Sequence, residues 1–211
     1  MKLYNSNISP NCLRVRAVAN ELGIDLDVVE VDIFAGGTKT DAFLALSTNA
    51  KVPLLVDGDF VLYESRAITA YLAGLKPEHG LYPDDLRTRA TVDQWSYWQT
   101  LHLGPAMQKI AFERYMKQCF NMGDPNEEAI TAELKDTDRF LRVLEGNLTK
   151  NKWVAGELSV ADFAMASTFM FREQARISLE EMPSVSDWID RLESRSSWQT
   201  AVEPLIASMQ N

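Results

Sequence analysis

Histidine is nearly absent: His79 and His102 are the only two in 211 residues. A multi-histidine metal centre or a serine–histidine–aspartate triad has little material to work with, and no metal is expected. Cysteine is equally sparse. Cys12 and Cys119 lie far apart and match no metal or disulfide spacing, so reduced thiols are expected. Positive charge is in deficit, with 21 Lys and Arg against 30 Asp and Glu for a net charge of −9. Both parts of the chain share the deficit: residues 1–80 hold 7 basic and 10 acidic side chains, residues 81–211 hold 14 and 20. That balance argues against a basic face for nucleic acid or an anionic lipid surface. No stretch approaches the ~20 apolar residues of a membrane span, and the start, Met1 to Ser6, lacks the apolar run of a secretory signal. The expected address is the cytoplasm, with no membrane partner. Disorder is opposed by 46% hydrophobic residues, including five Trp, six Tyr and nine Phe. The length suits two domains, each able to bury its own core.

What is present divides the chain at about residue 75. Residues 2–4 read as a strand, residues 6–11 as a loop, residues 12–22 as a helix stopped by Gly23, and residues 26–31 as a second strand. Gly36-Gly37 marks a loop, residues 41–46 a short helix, and residues 47–51 another loop. Residues 53–56 and 60–62 form a hairpin signal across Asp57-Gly58-Asp59, and a helix over residues 65–72 follows. The strand–helix–strand start favours a parallel pair and the hairpin an antiparallel one. This βαβαββα order predicts a four-stranded mixed sheet flanked by helices over residues 1–75. Pro77, Gly80 and Pro83 then punctuate a linker over residues 76–85.

Residues 86–211 read as an all-helical domain. Thr91, Gln94, Trp95, Trp98 and Leu101 form a stripe at helix spacing, and Gly104-Pro105 predicts a kink just after it. Residues 128–147 read as an amphipathic helix with Ile130, Leu134, Thr137, Leu141, Leu144 and Leu148 on one face. Ser159 and Asp162 have the spacing of a capping box, with Leu158 and Phe163 as a hydrophobic staple. The helix that they start is expected to run from Phe163 to about Arg172 and, apolar nearly all round, to form this domain's core.

Two segments of the first domain carry binding chemistry. Lys51-Val52-Pro53-Leu54-Leu55-Val56-Asp57-Gly58 reads as a strand that begins at a proline, which keeps Val52 extended with its own N–H and C=O free to pair with a ligand. A cis Val52-Pro53 bond presents that edge more fully. Six residues on, Glu64-Ser65 opens a helix with a carboxylate, a hydroxyl and unpaired N–H groups, which suit a ligand carrying both an ammonium and a carboxylate. An extended peptide with a free amino-acid end satisfies both halves.

In their order and spacing, these segments, with Phe43-Leu44-Ala45-Leu46, Leu62-Tyr63-Glu64-Ser65-Arg66-Ala67-Ile68, Leu81-Tyr82-Pro83 and the Ser159-x-x-Asp162 box, resemble the cytosolic glutathione S-transferases. The likeness runs over essentially the whole chain and is strongest to the serine-dependent phi, delta and theta-like classes, as a bacterial member. It implies a thioredoxin-like first domain with a cis Pro53, an all-α second domain that forms the electrophile site, glutathione as cosubstrate, and a homodimer. By that analogy Val52 and Pro53 hold the cysteinyl unit, Glu64 and Ser65 the γ-glutamyl ammonium and carboxylate, and Lys51 the glycyl carboxylate. Arg66 serves either the ligand or the subunit interface.

The catalytic hydroxyl of this family follows the first strand, where the chain offers Tyr4, Ser6 and Ser9. Ser9 is favoured because Pro10 suits a first helical turn, so the hydroxyl lies at a positive helix end. Tyr4 is the rival. Ser9-Pro10-Asn11-Cys12 is a redox motif with the first thiol replaced, which removes the dithiol cycle but leaves Cys12 able to form a mixed disulfide if exposed. His102, Met107, Ile110, Phe112 and Tyr115 are candidates to line an apolar electrophile site. The expected activity is conjugation of glutathione to a small apolar electrophile. The alternatives are a glutathione-dependent peroxidase or isomerase, and a non-catalytic glutathione- or protein-binding stress-response relative.

Overall fold

The computed structural model describes residues 1–209. Its first unit is built from β1 (Lys2–Asn5), α1 (Pro10–Glu21), β2 (Asp27–Glu30), α2 (Asp41–Leu46), β3 (Leu54–Asp57), β4 (Phe60–Tyr63) and α3 (Ser65–Gly74). The sheet order is β2-β1-β3-β4, with β1 parallel to β2 and antiparallel to β3, and β3 antiparallel to β4. The mixed four-stranded sheet expected from the sequence is therefore present. Helix α1 begins two residues earlier than its apolar pattern, because Ser9 caps it and Pro10 occupies its first turn. It stops where Gly23 takes a φ of +63° and Ile24 N–H reaches back to the Ala19 carbonyl.

Side chains alternate across the sheet and build two layers. Tyr4, Val52 and Val61 pack on a cluster of Val31, Phe43 and Leu54. Leu3 and Leu55 point the other way and are fully buried, as are Leu13 of α1 and Ile68 and Leu72 of α3, two helices that pack on each other.

The second unit, Pro83–Leu192, contains α4 (Leu86–Trp98), α5 (Gly104–Ala111), α6 (Lys117–Cys119), α7 (Glu127–Leu148), α8 (Val160–Ala166) and most of α9 (Pro183–Glu193). Two π-turns, Gln99–Leu103 and Phe112–Met116, join α4, α5 and α6 into one irregular rod. Helix α8 starts at the Ser159 cap and ends at Ala166 rather than near Arg172. Ser167 and Thr168 hydroxyls both turn back onto the Ala164 carbonyl, which competes with helix propagation.

The division of the chain also departs from the expected domains of residues 1–75 and 86–211. The final helix, α10 (Ser196–Met209), packs on α1 and belongs with the first unit. Polar anchors explain this: Arg195 pairs with Glu21, Ser197 Oγ donates to the same carboxylate, and Asn20 donates to the Ser197 carbonyl. Burial alone would raise the Glu21 carboxyl, but these two donors hold it below the usual range. No described helix is long and apolar enough to cross a membrane.

Candidate functional site

Strand register gathers the candidate residues. Tyr4 pairs with Leu54, Leu54 with Tyr63, and Asn5 with Glu30. One end of the sheet therefore carries the loop after β1, the Val52-Pro53 entry to β3, the Glu64-Ser65 exit from β4 and the last residue of β2. These segments are separated by up to 60 positions in sequence and by one or two strands in space.

Ser9 closes the β1–α1 loop in extended conformation, with φ −92° and ψ 119°. Its Oγ accepts from the Cys12 amide at 3.4 Å. A hydroxyl has one donor and two lone pairs, so this capping bond leaves the proton free to point at a ligand. The same hydroxyl sits at the positive end of a 12-residue helix.

The Val52-Pro53 peptide bond is cis. Pro53 is buried, Val52 half-buried and Lys51 exposed. Ala50, just before them, takes a φ of 51°. Across the sheet end Glu64 is exposed at φ 71° and ψ 110°, a left-handed backbone that costs a non-glycine residue of order 1–3 kcal/mol and is typical of ligand clamps. Ser65, buried at the head of the 10-residue α3, accepts a 3.3 Å hydrogen bond from Arg14 Nη1. Burial lowers the pKa of both nearby guanidiniums, that of Arg66 to about 10, and the Arg66 charge depresses Arg14 further. Two guanidiniums thus lie near this helix end, with the Glu64 carboxylate acting on Arg66 in the opposite sense to burial.

The rival groups have other roles. The Tyr4 ring packs edge-on against Phe43 with centroids 5.7 Å apart, inside the cluster of Val31 and Leu54. Ser6 is buried, and its N–H donates to Cys12 Sγ at 3.3 Å. Burial pushes the Cys12 thiol up, which keeps it protonated and unreactive. In the helical unit Met107 and Ile110 are buried core residues, while Phe112 is exposed and Tyr115 stacks on Phe171 at 5.4 Å. His102 is exposed and packs between Trp98 and Phe140. Those five residues differ in burial, from the buried Met107 and Ile110 to the exposed His102 and Phe112. Among the described residues no three His, Cys, Asp or Glu side chains cluster as a metal site.

Arg14, Arg16, Asn5 and Glu30 went unseen in the sequence. The two arginines sit on a helix that is buried nearly all round, and that mismatch of charge with pattern was the available signal. Nothing marked Asn5 or Glu30, which meet only through strand pairing.

A thioredoxin-like sheet with a cis-proline edge, a hydroxyl-capped first helix and two arginines near the head of the third, followed by a helical unit, defines a class of two-unit proteins with a thioredoxin-like first unit. Comparison with known proteins makes the assignment specific. Residues 3–80 match the family model of the glutathione S-transferase N-terminal domain, and residues 103–196 that of the C-terminal domain. Glutathione S-transferase 3 of Zea mays is 31% identical over 208 residues, covering 96% of this chain and 93% of that protein. The solved structure of glutathione S-transferase-I bound with lactoylglutathione superposes with a TM-score of 0.88 at 29% identity, covering 95% of this chain and 97% of that one. The maize transferase I with an atrazine glutathione conjugate gives 0.87 at 29%, with 95% of each chain covered. The chain belongs to the glutathione S-transferase family, and it is an enzyme with glutathione transferase activity.

Proposed function

We propose that the enzyme activates the thiol of glutathione as a thiolate through the Ser9 hydroxyl, and that the thiolate attacks small apolar electrophiles. The observation that carries this reading is the Ser9 cap of α1, at the same sheet end as Val52-Pro53 and Glu64-Ser65. Glutathione supplies an extended backbone for the Val52 N–H and C=O beside Pro53. Its γ-glutamyl ammonium meets Glu64, and its γ-glutamyl carboxylate meets the Ser65 hydroxyl and the first N–H groups of α3. Because Ser65 Oγ already accepts from Arg14, its own proton is left to donate to that carboxylate. Lys51, exposed at the rim, serves the glycyl carboxylate.

Lowering a thiol pKa from ~8.5 to ~6.5 needs roughly 2.7 kcal/mol of preferential thiolate stabilisation. A helix N-terminus supplies ~0.3–1 kcal/mol and a hydrogen bond to a charged acceptor ~1.5–3 kcal/mol. Together they suffice without a general base. The thiol proton passes to solvent, sulfur forms a bond to the electrophilic carbon, and the leaving group departs with its electron pair. The enzyme acts in this reading as a cytoplasmic homodimer.

The test is Ser9→Ala with an aryl halide as electrophile. Turnover should fall about ten- to a hundred-fold, the equivalent of one charge-assisted hydrogen bond, while retention on immobilised glutathione persists. Unchanged turnover removes Ser9 from the mechanism, and retention by the native enzyme without turnover of any electrophile removes the conjugation reading.

A further inference from the structure

A continuous polar network runs from the C-terminal helix to the loop that carries Ser9. Arg16, buried on α1, donates from Nε at 3.3 Å and Nη2 at 2.9 Å to the Ala201 carbonyl of α10. Pro204 lies inside α10 and has no N–H for the Thr200 carbonyl one turn back, which loosens the helix ladder where Arg16 enters. The other arm of Arg16, Nη1, donates to Asn5 Oδ1. Asn5, wholly buried at the end of β1, passes the link on: its Nδ2 donates to Glu30 Oε2 at 2.6 Å and to Asn7 Oδ1 at 2.9 Å. Glu30 Oε1 then accepts the Asn7 backbone N–H at 2.8 Å. The loop closes on itself beyond that point, with Ser6 N–H on Cys12 Sγ and Ser9 N–H on the Ser6 carbonyl at 3.0 Å.

We propose that Glu30 is a positioning residue for thiol activation: its two oxygens clamp Asn5 and Asn7, which holds the β1–α1 loop so that the Ser9 hydroxyl faces the bound sulfur, while Arg16 anchors the same clamp to α10. The proposal rests on the reading of Ser9 as the thiolate donor. Both Glu30 oxygens are committed to donors, so a neutral amide of the same shape can serve only one of them and must turn an N–H toward the other. The loop then loses one of its two restraints although the fold keeps all its apolar contacts.

The charge on Glu30 offers the opposite effect, which makes the sign of the result decisive. Among the influences on the neighbouring Cys12 thiol, burial raises its pKa first, Arg16 pulls it down and Glu30 pushes it up. A carboxylate acting only as a charge near the bound glutathione thiol raises that pKa, so its removal lowers it. A carboxylate acting as a clamp gives the reverse.

The experiment titrates the ultraviolet thiolate absorbance of glutathione bound to the native enzyme, Glu30→Gln, Arg16→Lys and Ser9→Ala. In Glu30→Gln the bound thiol pKa should rise by about half a unit or more, and kcat below that pKa should fall about three- to ten-fold, with KM for glutathione within about two-fold. Arg16→Lys keeps the charge but reaches one acceptor only, so it should shift the pKa the same way by less, and it carries the test if Glu30→Gln fails to fold. An unchanged or lowered thiol pKa in the variant that folds overturns the clamp. If Ser9→Ala itself leaves the thiol pKa unchanged, the reading of Ser9 fails first; if Ser9→Ala raises it and Glu30→Gln does not, the clamp alone is wrong.

Discussion

Asp162 is a buried carboxylate that accepts from Val154 N–H at 2.9 Å, Trp188 Nε1 at 3.0 Å, Ser159 N–H at 3.0 Å and Ser159 Oγ at 3.2 Å. Burial outweighs all four donors and pushes its pKa up to about 6. The native state therefore binds this proton more tightly than the unfolded chain. The resulting stability is fully present below the unfolded carboxyl value and is lost as pH rises through about 6. Asp162→Asn removes that titration. Urea midpoints should show the native chain gaining on the Asn variant as pH falls from about 7 to about 5. A constant difference across that range would contradict the assignment. The capping role of this residue was legible from its spacing to Ser159; its bond to Trp188, 26 positions away, was not. The same contrast holds at the site. Ser9, Glu64 and Ser65 advertise themselves through local pattern, whereas Arg14 and Arg16 find partners 51 and 185 positions distant.

At the scale of elements, the rod from α4 to α6 bends through π-turns rather than at the proline alone. Gly104 is needed there for lack of room: a Cβ on it would lie 2.5 Å from Gln99 Nε2 and 2.7 Å from the Gln99 carbonyl. Gln99 is itself committed, donating to Thr168 Oγ1 at 2.6 Å. Gly104→Ala should therefore destabilise the protein by about 1–3 kcal/mol, through overpacking, in spite of alanine's better helix propensity. Thermal unfolding checks this, and a stabilised variant would show that the turn relaxes freely. The sequence marked the kink through Gly104-Pro105 but not its π form or the bond from Gln99 to Thr168, 69 positions away. Helix α9 depends on a remote partner too. Glu145 of α7 accepts from the Ser184 and Val185 amides at its start, and although burial raises this carboxyl, those bonds leave it below the usual range.

At the scale of the whole molecule, apolar surface is left over. Helix α3 spends Ile68 and Leu72 on the interior of its own unit. Helix α4 and the turn after it instead present Leu86, Tyr97 and Leu101, which are 79%, 63% and 69% exposed. Positions 86, 97 and 101 fall on one face, being spaced by three turns and then one. The proposed homodimer gives that stripe an occupant. Tyr97→Glu with Leu101→Glu should shift sedimentation from dimer to monomer, since burying each side chain contributes about 1.5–3 kcal/mol per subunit. A variant that still sediments as a dimer would exclude this face.

Read alone, the sequence determined the order of elements in the first domain, the mixed sheet, the helical character of the second part and the family, because each rests on periodicity, caps and short motifs that act within a few residues. It also put forward Ser9, Val52-Pro53 and Glu64-Ser65 as candidates, from chemistry carried by their own backbone and side chains. The folded chain decided the rest. It assigned α10 to the first unit, buried Cys12, set the Tyr4 ring against Phe43, and joined Arg16, Asn5 and Glu30 into one network. Hydrogen-bond partners far apart in sequence are chosen by strand register and helix packing, and neither is written in any one segment.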